Sequence, residues 1–365
     1  MTIIKDGMNK DCIKIAFFVT GFGYGDSIRV HAIIRELLKE HPKTDIIIFG
    51  YDNSYNYFKD AFKTVKFFGY KFPDKLFGFK LFRFIIKNVF LPFYWSLSQS
   101  KAYSELKKFN PDVIISDFEM LGCLMARRLG KKCISIFGFD PEKFKEYPNK
   151  SFILKIQVKF INYLYSLSNR VIIASYNSKT EGKFNYVKPI IRLLPEELNS
   201  EHYLMRKHKI KKKPLIVMLG GSNYGAYLAK AIFSLRKEFD ENFIFFGSDI
   251  SIPLEHYKFK ENYLEYLKIS KGVISLAGNL TMSECMVYKK PMLVFPIKNH
   301  VEQLLNVYTL RNYLEVGDPN DIAGSLKIFL SKIDEIKRSL ERVNMQGTGA
   351  VDVVEIIEET LKEQN

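Results

Sequence analysis

The glycine-rich segment at residues 19–29 (VTGFGYGDSIR) stands between an apolar run and an amphipathic stretch, and its spacing could serve ligand binding. A glycine turn directly after a strand lets backbone N–H groups approach an anion closely, and the N-terminus of the next helix adds partial positive charge. Gly21, Gly23 and Gly25 are therefore candidates for one wall of a ligand site. A tight strand-to-helix turn, with Asp26 capping the helix, is the structural alternative.

This segment departs from the dinucleotide-binding fingerprint. The pattern GxGxxG needs a glycine where the chain has Asp26, and the acid expected about twenty residues later is missing, since Asp52 lies farther along. A dehydrogenase is therefore disfavoured.

A second glycine turn, LGGSNYGA at residues 219–226, precedes another predicted helix. Its exposed N–H groups and hydroxyl could hold a diphosphate, and the residues concerned are Gly220, Gly221, Ser222 and Asn223. Farther on, Gly278 and Asn279 open a helix that carries Glu284, whose carboxylate could accept hydrogen bonds from two ribose hydroxyls. Thr281 and Glu284 also have the T-x-x-E spacing of a capping box, so a purely structural role stays open.

Strand and helix patterns alternate along the chain. Short apolar runs at residues 13–19, 45–49, 113–116, 133–137 and 171–175 are separated by helix-length segments, and the alternation resumes at residue 214. This predicts two Rossmann-like, doubly wound α/β domains that face a central cleft. The predicted boundaries are a first domain at 1–190, a basic linker at 191–213, a second domain at 214–346 and a helix at 347–365 that returns to the first domain.

The composition is that of an ordered globular protein, with 365 residues of which 47% are hydrophobic and 26% charged. Four cysteines stand far apart, with no CxxC pair and no histidine cluster, so we expect neither a disulfide scaffold nor a metal site. The first residues lack a signal-peptide pattern, and no stretch reaches about 18 uncharged apolar residues. These features predict a cytoplasmic location and no membrane-spanning helix.

The net charge of +15 calls for an acidic partner. Between Asp74 and Glu105 there is no acid, while basic residues alternate with aromatic ones over residues 75–104. That pattern is typical of an amphipathic segment on an anionic membrane surface, and a core helix with a solvated face is the alternative. No nucleic-acid partner is expected, because no RNA- or DNA-binding module is visible.

Four motifs occur in order within residues 214–307: GGSNYGA, AGNLTMSE, KPMLVFP and HVEQLLN. In this combination the chain resembles glycosyltransferases of the GT-B fold, in particular the lipid-intermediate GlcNAc transferases of bacterial peptidoglycan synthesis and related archaeal UDP-glycosyltransferase-like proteins. GFGYGDSIR and PDVIISD carry the likeness in the first half. The resemblance implies that the first domain binds the acceptor and the second binds the nucleotide-sugar donor.

The resemblance also implies a role for each matching residue. Those implied to contact the donor diphosphate are Gly220, Gly221, Ser222, Asn279, Thr281 and Arg192. Those implied to hold the ribose and the donor sugar are Glu284, Glu302, Gln303 and, closing the motif, Asn306. A guanidinium fork suits a diphosphate, although an arginine in a basic linker can simply be solvated.

The first loop departs from this family. Relatives have a histidine, proposed to deprotonate the acceptor hydroxyl, where this chain has Asp26. A carboxylate can act as general base when burial or a nearby phosphate raises its pKa, so Asp26 is the candidate base. His31 is an alternative that could equally serve packing alone. The acceptor side is predicted to comprise Gly23, Gly25, Arg29 and Asp117.

We therefore expect a hexosyltransferase that moves a sugar from a UDP-sugar such as UDP-GlcNAc to an acceptor hydroxyl with inversion. No D-x-D pair occurs to hold a metal, so helix N-termini and Arg192 would neutralise the diphosphate without a cofactor. The aromatic and basic segment predicts a glycan or lipid-linked acceptor and a peripheral position at the inner face of the cell membrane. A non-catalytic nucleotide-sugar binding protein and a nucleotide-sugar epimerase stay open as alternatives.

Overall fold

The computed structural model describes residues 12–71, 80–175, 179–220, 223–247, 256–257, 260–345 and 347–363. These residues form two α/β domains, each built on one sheet, which confirms the predicted fold class. Gly221, Ser222 and residues 75–79 of the aromatic and basic segment lie outside the described residues.

The first domain contains an eight-stranded sheet. Its strands are β1 (Lys14–Val19), β2 (Asp45–Gly50), β3 (Lys63–Lys66), β4 (Val113–Asp117), β5 (Lys132–Phe137), β6 (Arg170–Ala174), β7 (Lys179–Glu181) and β8 (Phe184–Val187). Their order is β3-β2-β1-β4-β5-β6-β8-β7, and β7 pairs antiparallel with β8 while the other pairs are parallel. The order reverses between β1 and β4, and ligands bind at the carboxyl ends of strands at such a switch point.

Helices cover both faces of this sheet, which is why its strands are continuous apolar runs. They are α1 (Gly25–Glu40), α2 (Asp52–Phe58), α4 (Leu91–Phe109), α5 (Met120–Leu129) and α6 (Phe152–Ser166). A further helix, α3 (Leu81–Asn88), precedes α4, and a 3₁₀ turn lies at Pro141–Lys145. One core lies between the sheet and α1 and α2, and the other lies between the sheet and α4, α5 and α6.

The second domain contains a six-stranded parallel sheet. A 3₁₀ turn at Pro195–Glu197 and α7 (Glu201–Lys207) precede it, followed by β9 (Leu215–Met218), α8 (Asn223–Leu235), β10 (Phe243–Phe246), β11 (His256–Tyr257), α9 (Tyr263–Ile269), β12 (Gly272–Ser275), α10 (Asn279–Val287), β13 (Met292–Val294), α11 (Val301–Leu310), β14 (Glu315–Val316) and α12 (Ile322–Glu341). The order is β11-β10-β9-β12-β13-β14, so the switch point lies between β9 and β12.

The last helix, α13 (Gly349–Lys362), packs against α1 of the first domain. Its residues Val353 and Ile357 are fully buried in the same core as β1 and α1. The chain therefore crosses back after completing the second domain.

Candidate functional site

The glycine turn joins β1 to α1 at the switch point of the first sheet. The Thr20 amide donates to the Asp117 carbonyl over 3.3 Å, which ties the turn to the end of β4. A Cβ at Gly21 would lie 2.1 Å from the Tyr51 carbonyl oxygen, and Gly23 has φ +74°. Gly21 therefore requires glycine because the chain of Tyr51 approaches it closely, and Gly23 because of its left-handed backbone conformation.

Helix α1 begins at Gly25, one residue earlier than Asp26. The prediction that Asp26 caps this helix is wrong, because the N-cap is Tyr24 and no side chain caps the helix. Asp26 is instead the second helical residue and does not cap the helix. A Cβ on Gly25 would lie 3.8 Å from Leu280 Cβ, so the starts of α1 and α10 face each other across the cleft.

Arg29, one turn along α1, joins two carboxylates of the first domain. Its Nε donates to Asp117 Oδ2 over 2.9 Å and its NH2 to Asp117 Oδ1 over 2.5 Å, which makes a bidentate fork. The same NH2 donates to Asp26 Oδ1. Arg29 and Asp117 are almost completely buried, whereas 24% of the Asp26 side chain is exposed to the cleft.

Arg29 carries one positive charge, whereas three carboxyl groups lie near it, those of Asp26, Asp117 and Glu302. Burial raises the pKa of Asp26 to about 8, the charges of Asp117 and Glu302 add to the effect, and Arg29 opposes it. Burial likewise raises the pKa of Asp117 against the attraction of Arg29. Arg29 itself stays charged, because the two carboxylates outweigh the burial that would lower its pKa. The pKa of Asp26 is thus raised toward neutral pH, in a side chain that reaches the cleft.

Helix α10 of the second domain begins at Asn279, after an extended N-cap at Gly278 with no side-chain cap. Thr281 is therefore the third helical residue, and it does not form a capping box with Glu284. The Glu284 side chain is 2% exposed. Its burial raises its pKa to about 8, and nearby Arg192 partly opposes this.

Arg192 follows the last strand of the first domain and lies near Glu284. Its NH2 donates to the Glu261 carbonyl over 3.2 Å. Its Nε is buried and, among the described residues, has no acceptor. A buried guanidinium nitrogen without an acceptor favours an anionic ligand at this position.

His31 belongs to the Arg192 side of the cleft and not to the Arg29 cluster. Its Nδ1 lies 2.8 Å from the Tyr57 hydroxyl, and its ring packs edge-on against Phe58 and Phe62. Burial and the charge of Arg192 lower its pKa. His31 therefore packs against Tyr57 and Phe58 of α2 and against Phe62.

Helix α11 carries the residues of the VEQLLN motif. Glu302 is half-buried and close enough to Asp26 to raise its pKa. Gln303 Oε1 accepts from the Ile297 amide over 2.8 Å, which fixes the preceding loop. Asn306 is 8% exposed, and its Nδ2 is buried with no acceptor in the described part of the chain. Glu302 therefore faces the first-domain carboxylates from the second domain.

A glutamine of the first domain holds the start of α11. Gln157 on α6 donates through Nε2 to the Asn299 carbonyl over 2.8 Å and accepts at Oε1 from the Val301 amide over 3.2 Å. No sequence motif marks Gln157, since its partners are 142 and 144 positions away.

At the second switch point, Gly220 ends the loop after β9 with φ +61°, which favours glycine. Asn223 is the first residue of α8. A Cβ at Gly220 would lie 3.9 Å from Leu276 Cδ1, so this turn lies beside the loop that follows β12.

The aromatic and basic segment exposes much of its apolar surface. Phe82 is 75% exposed, Phe90 66% and Phe93 60%, with Arg83 and Lys87 exposed beside them. The rings of α3 and of the first turn of α4 are thus exposed, whereas α4 also buries Leu91, Ala102 and Leu106 in the first-domain core. No helix in the described ranges is both long and apolar enough to cross a membrane.

Comparisons with known proteins agree with this architecture. Residues 13–149 and 229–334 match the sequence model of glycosyl transferase family 1. An uncharacterized glycosyltransferase of Methanopyrus kandleri is 23% identical over 275 residues, which cover 70% of this chain and 78% of that protein. The UDP-N-acetylglucosamine-N-acetylmuramyl-(pentapeptide) pyrophosphoryl-undecaprenol N-acetylglucosamine transferase 3 of Bacillus cereus is 24% identical over 291 residues, 72% of this chain and 77% of its own.

The crystal structure of MurG from Acinetobacter baumannii is similar in fold. It superposes with a TM-score of 0.61 over 95% of this chain and 99% of its own, at 13% identity. This likeness confirms the GT-B arrangement of two Rossmann-like domains.

Proposed function

Because the chain belongs to glycosyl transferase family 1 and is a glycosyltransferase of the GT-B fold, we propose that it moves a hexose from a UDP-sugar to an acceptor hydroxyl with inversion. The pair of Glu284 and Arg192 carries the proposal. The Glu284 side chain is 2% exposed, its burial raises its pKa to about 8, and Arg192 Nε is buried without an acceptor among the described residues. A nucleoside diphosphate offers the hydroxyls and the anion that these two groups lack.

The donor is bound mainly by the second domain. Glu284 accepts hydrogen bonds from the ribose hydroxyls, and Arg192 binds the diphosphate together with the N-termini of α8 and α10. The further diphosphate contacts of the proposal are Gly220, Gly221, Ser222, Asn223, Gly278, Asn279 and Thr281. The proposed sugar contacts are Glu302, Gln303 and Asn306. The name of the Bacillus cereus relative includes UDP-N-acetylglucosamine, which supports UDP-GlcNAc as the first donor to test.

Asp26 acts as the general base. In the ionised form it takes the proton from the acceptor hydroxyl, whose oxygen attacks the anomeric carbon while the bond to the UDP oxygen breaks on the opposite face. The arrangement of Arg192 and two helix N-termini supplies positive charge to the leaving diphosphate, so the proposal needs no metal ion.

The acceptor is a glycan or a lipid-linked molecule presented at an anionic membrane surface, at the inner face of the cell membrane. The exposed rings and bases of α3 and α4 support this. α6 covers the same face of the first sheet and exposes Phe152, Lys155 and Lys159. Apolar rings that enter the headgroup region and bases that meet anionic lipids are the features of peripheral binding.

A thermal-shift panel of UDP, GDP, dTDP, ADP and their sugar conjugates tests the donor site. A ligand at a hundredfold over its dissociation constant should add about 2.7 kcal/mol of stability. We expect uridine nucleotides to raise the melting temperature of the wild type and of the control Glu335→Ala, an exposed acid on α12, but not of Glu284→Ala. Equal shifts in all three proteins would remove Glu284 from the donor site.

A vesicle cosedimentation assay tests the membrane surface. We expect binding to phosphatidylcholine vesicles that contain phosphatidylglycerol and little binding without it. Phe82→Ser with Phe90→Ser should weaken binding by about tenfold or more, because each ring buries apolar area in the lipid. The matched control is Val316→Ser, which removes an exposed apolar side chain from the second domain. Unchanged binding by the double variant would contradict the surface assignment.

A further inference from the structure

Arg29 has three sets of contacts, and each engages a different part of the cleft. Nε and NH2 form the fork with Asp117 at the end of β4. NH2 also donates to Asp26 on its own helix. NH1 points to the second domain and lies 3.5 Å from Asn279 Oδ1, at the start of α10. The guanidinium is 3% exposed, so its orientation is fixed by these groups and not by solvent.

We propose that Arg29 is the positioning residue of the transfer reaction, which holds the Asp26 carboxylate toward the acceptor and is itself oriented by Asp117 and by Asn279. This inference rests on the proposed function, in which Asp26 is the base. It adds a residue that acts through Asp26 and not on the acceptor hydroxyl.

The geometry explains why an arginine is needed. Asp26 is the second residue of α1 and has no capping bond, so only Arg29 restrains its carboxylate among the hydrogen bonds of the described residues. The hydrogen bond engages Oδ1 and leaves Oδ2 for the acceptor. A lysine would keep the charge but lose the planar fork that Asp117 holds rigid.

The charges that face Asp26 come from three elements. Arg29 on α1 favours its ionised form, while Asp117 on β4 and Glu302 on α11 oppose it. Removal of Arg29 leaves only opposing carboxylates, so Asp26 should then give up its proton at a higher pH. An opposite charge at this range changes a pKa by about 1–3 units.

The pH dependence of kcat/KM tests this inference. The wild type should gain activity as Asp26 ionises through about pH 8. Arg29→Gln should move that rise upward by about 1 pH unit or more. Arg29→Lys should leave the rise in place but lower kcat by about 10- to 100-fold, because the carboxylate is no longer aligned. A purely structural role would lower activity equally at every pH and leave the rise where it was.

Arg29→Gln leaves Asp117 buried without a partner, which can prevent folding. The variant Arg29→Met with Asp117→Leu replaces the pair by apolar groups and still removes the cation from Asp26. Its rise in activity should also move to higher pH, but by less than in Arg29→Gln, because the loss of Asp117 removes a carboxylate that raises the pKa of Asp26. A wild-type profile in this variant would overturn the inference.

The outcomes separate the inference from the function on which it rests. If the wild type transfers no sugar from any nucleotide donor, the proposed function fails and the inference falls with it. If Asp26→Asn keeps the rise, Asp26 is not the base and the inference is also overturned. If the wild type is active and Asp26→Asn abolishes the rise, but neither Arg29→Gln nor Arg29→Met with Asp117→Leu moves it, the inference alone is wrong.

Discussion

At the scale of single residues, buried acids hold protons at neutral pH. Burial raises the pKa of Asp26, Glu119 and Glu284 to about 8 each. In the unfolded chain these groups ionise near pH 4, so the folded state binds more protons between these values. Stability from such a group is complete below the unfolded pKa and is lost as the pH rises toward the folded pKa.

Glu119 allows this effect to be tested away from the proposed reaction. Its Oε1 accepts from the Leu121 amide over 3.2 Å, and its Oε2 is buried without a partner in the described part of the chain. Glu119→Gln keeps the acceptor but cannot ionise. Between about pH 5.5 and about pH 7.5 its free energy of unfolding should gain about 2–3 kcal/mol relative to the wild type, at about 1.4 kcal/mol per pH unit.

Chemical denaturation at the two pH values measures that gain. Glu335→Gln on α12 is the control, because this acid is exposed and should show no pH-dependent difference. If the free energies of unfolding of Glu119→Gln and the wild type differ by the same amount at both pH values, Glu119 is ionised in the folded protein.

At the scale of elements, α13 belongs energetically to the first domain. Ile357 is fully buried in the core that includes β1 and α1, whereas Val351 on the same helix is 47% exposed. Ile357→Ala should lower the free energy of unfolding of the first domain by about 2–4 kcal/mol. Val351→Ala should change it by less than about 0.5 kcal/mol.

Hydrogen exchange with mass spectrometry can assign this loss to a domain. We expect faster exchange in β1 and β4 of Ile357→Ala and unchanged exchange in β9 and β12. Faster exchange confined to the second-domain strands would contradict the placement of α13.

Periodic patterns predicted the elements, because buried strands and amphipathic helices are encoded locally. The helix starts were less predictable. Capping rules offered Asp26 for α1, yet this helix begins at Gly25. The start of α10 at Asn279 agrees with the prediction from Gly278 and Asn279, but the capping box of Thr281 and Glu284 does not form. Neither helix has a side-chain cap.

At the scale of the whole molecule, the contacts between distant segments could not be predicted from one sequence. Arg29 and Asp117 are 88 positions apart, and nothing in either local pattern indicates that Arg29 donates two hydrogen bonds to the Asp117 carboxylate. The same holds for Gln157 and the loop before α11. The motifs indicated which residues carry chemistry, but the charge balance around Asp26 depends on how the two domains meet.

Helix α11 joins the domains physically. Val301 and Leu305 belong to the second domain by sequence but are buried in the core formed by α4, α5 and α6 of the first. The same helix carries Glu302 and Gln303 to the cleft. The position of the proposed sugar contacts therefore depends on first-domain residues that never touch the donor.

Gln157→Ala tests this dependence, because it removes both hydrogen bonds from Gln157 to the loop before α11, at Asn299 and Val301. Each bond contributes about 1 kcal/mol, so we expect kcat/KM for the donor to fall by about tenfold, since α11 is no longer held in place. Steady-state kinetics with varied donor measure the loss, and Asn162→Ala, an exposed amide on the same helix, is the matched control. Equal kcat/KM in both variants would mean that the apolar contacts of α11 alone position Glu302 and Gln303.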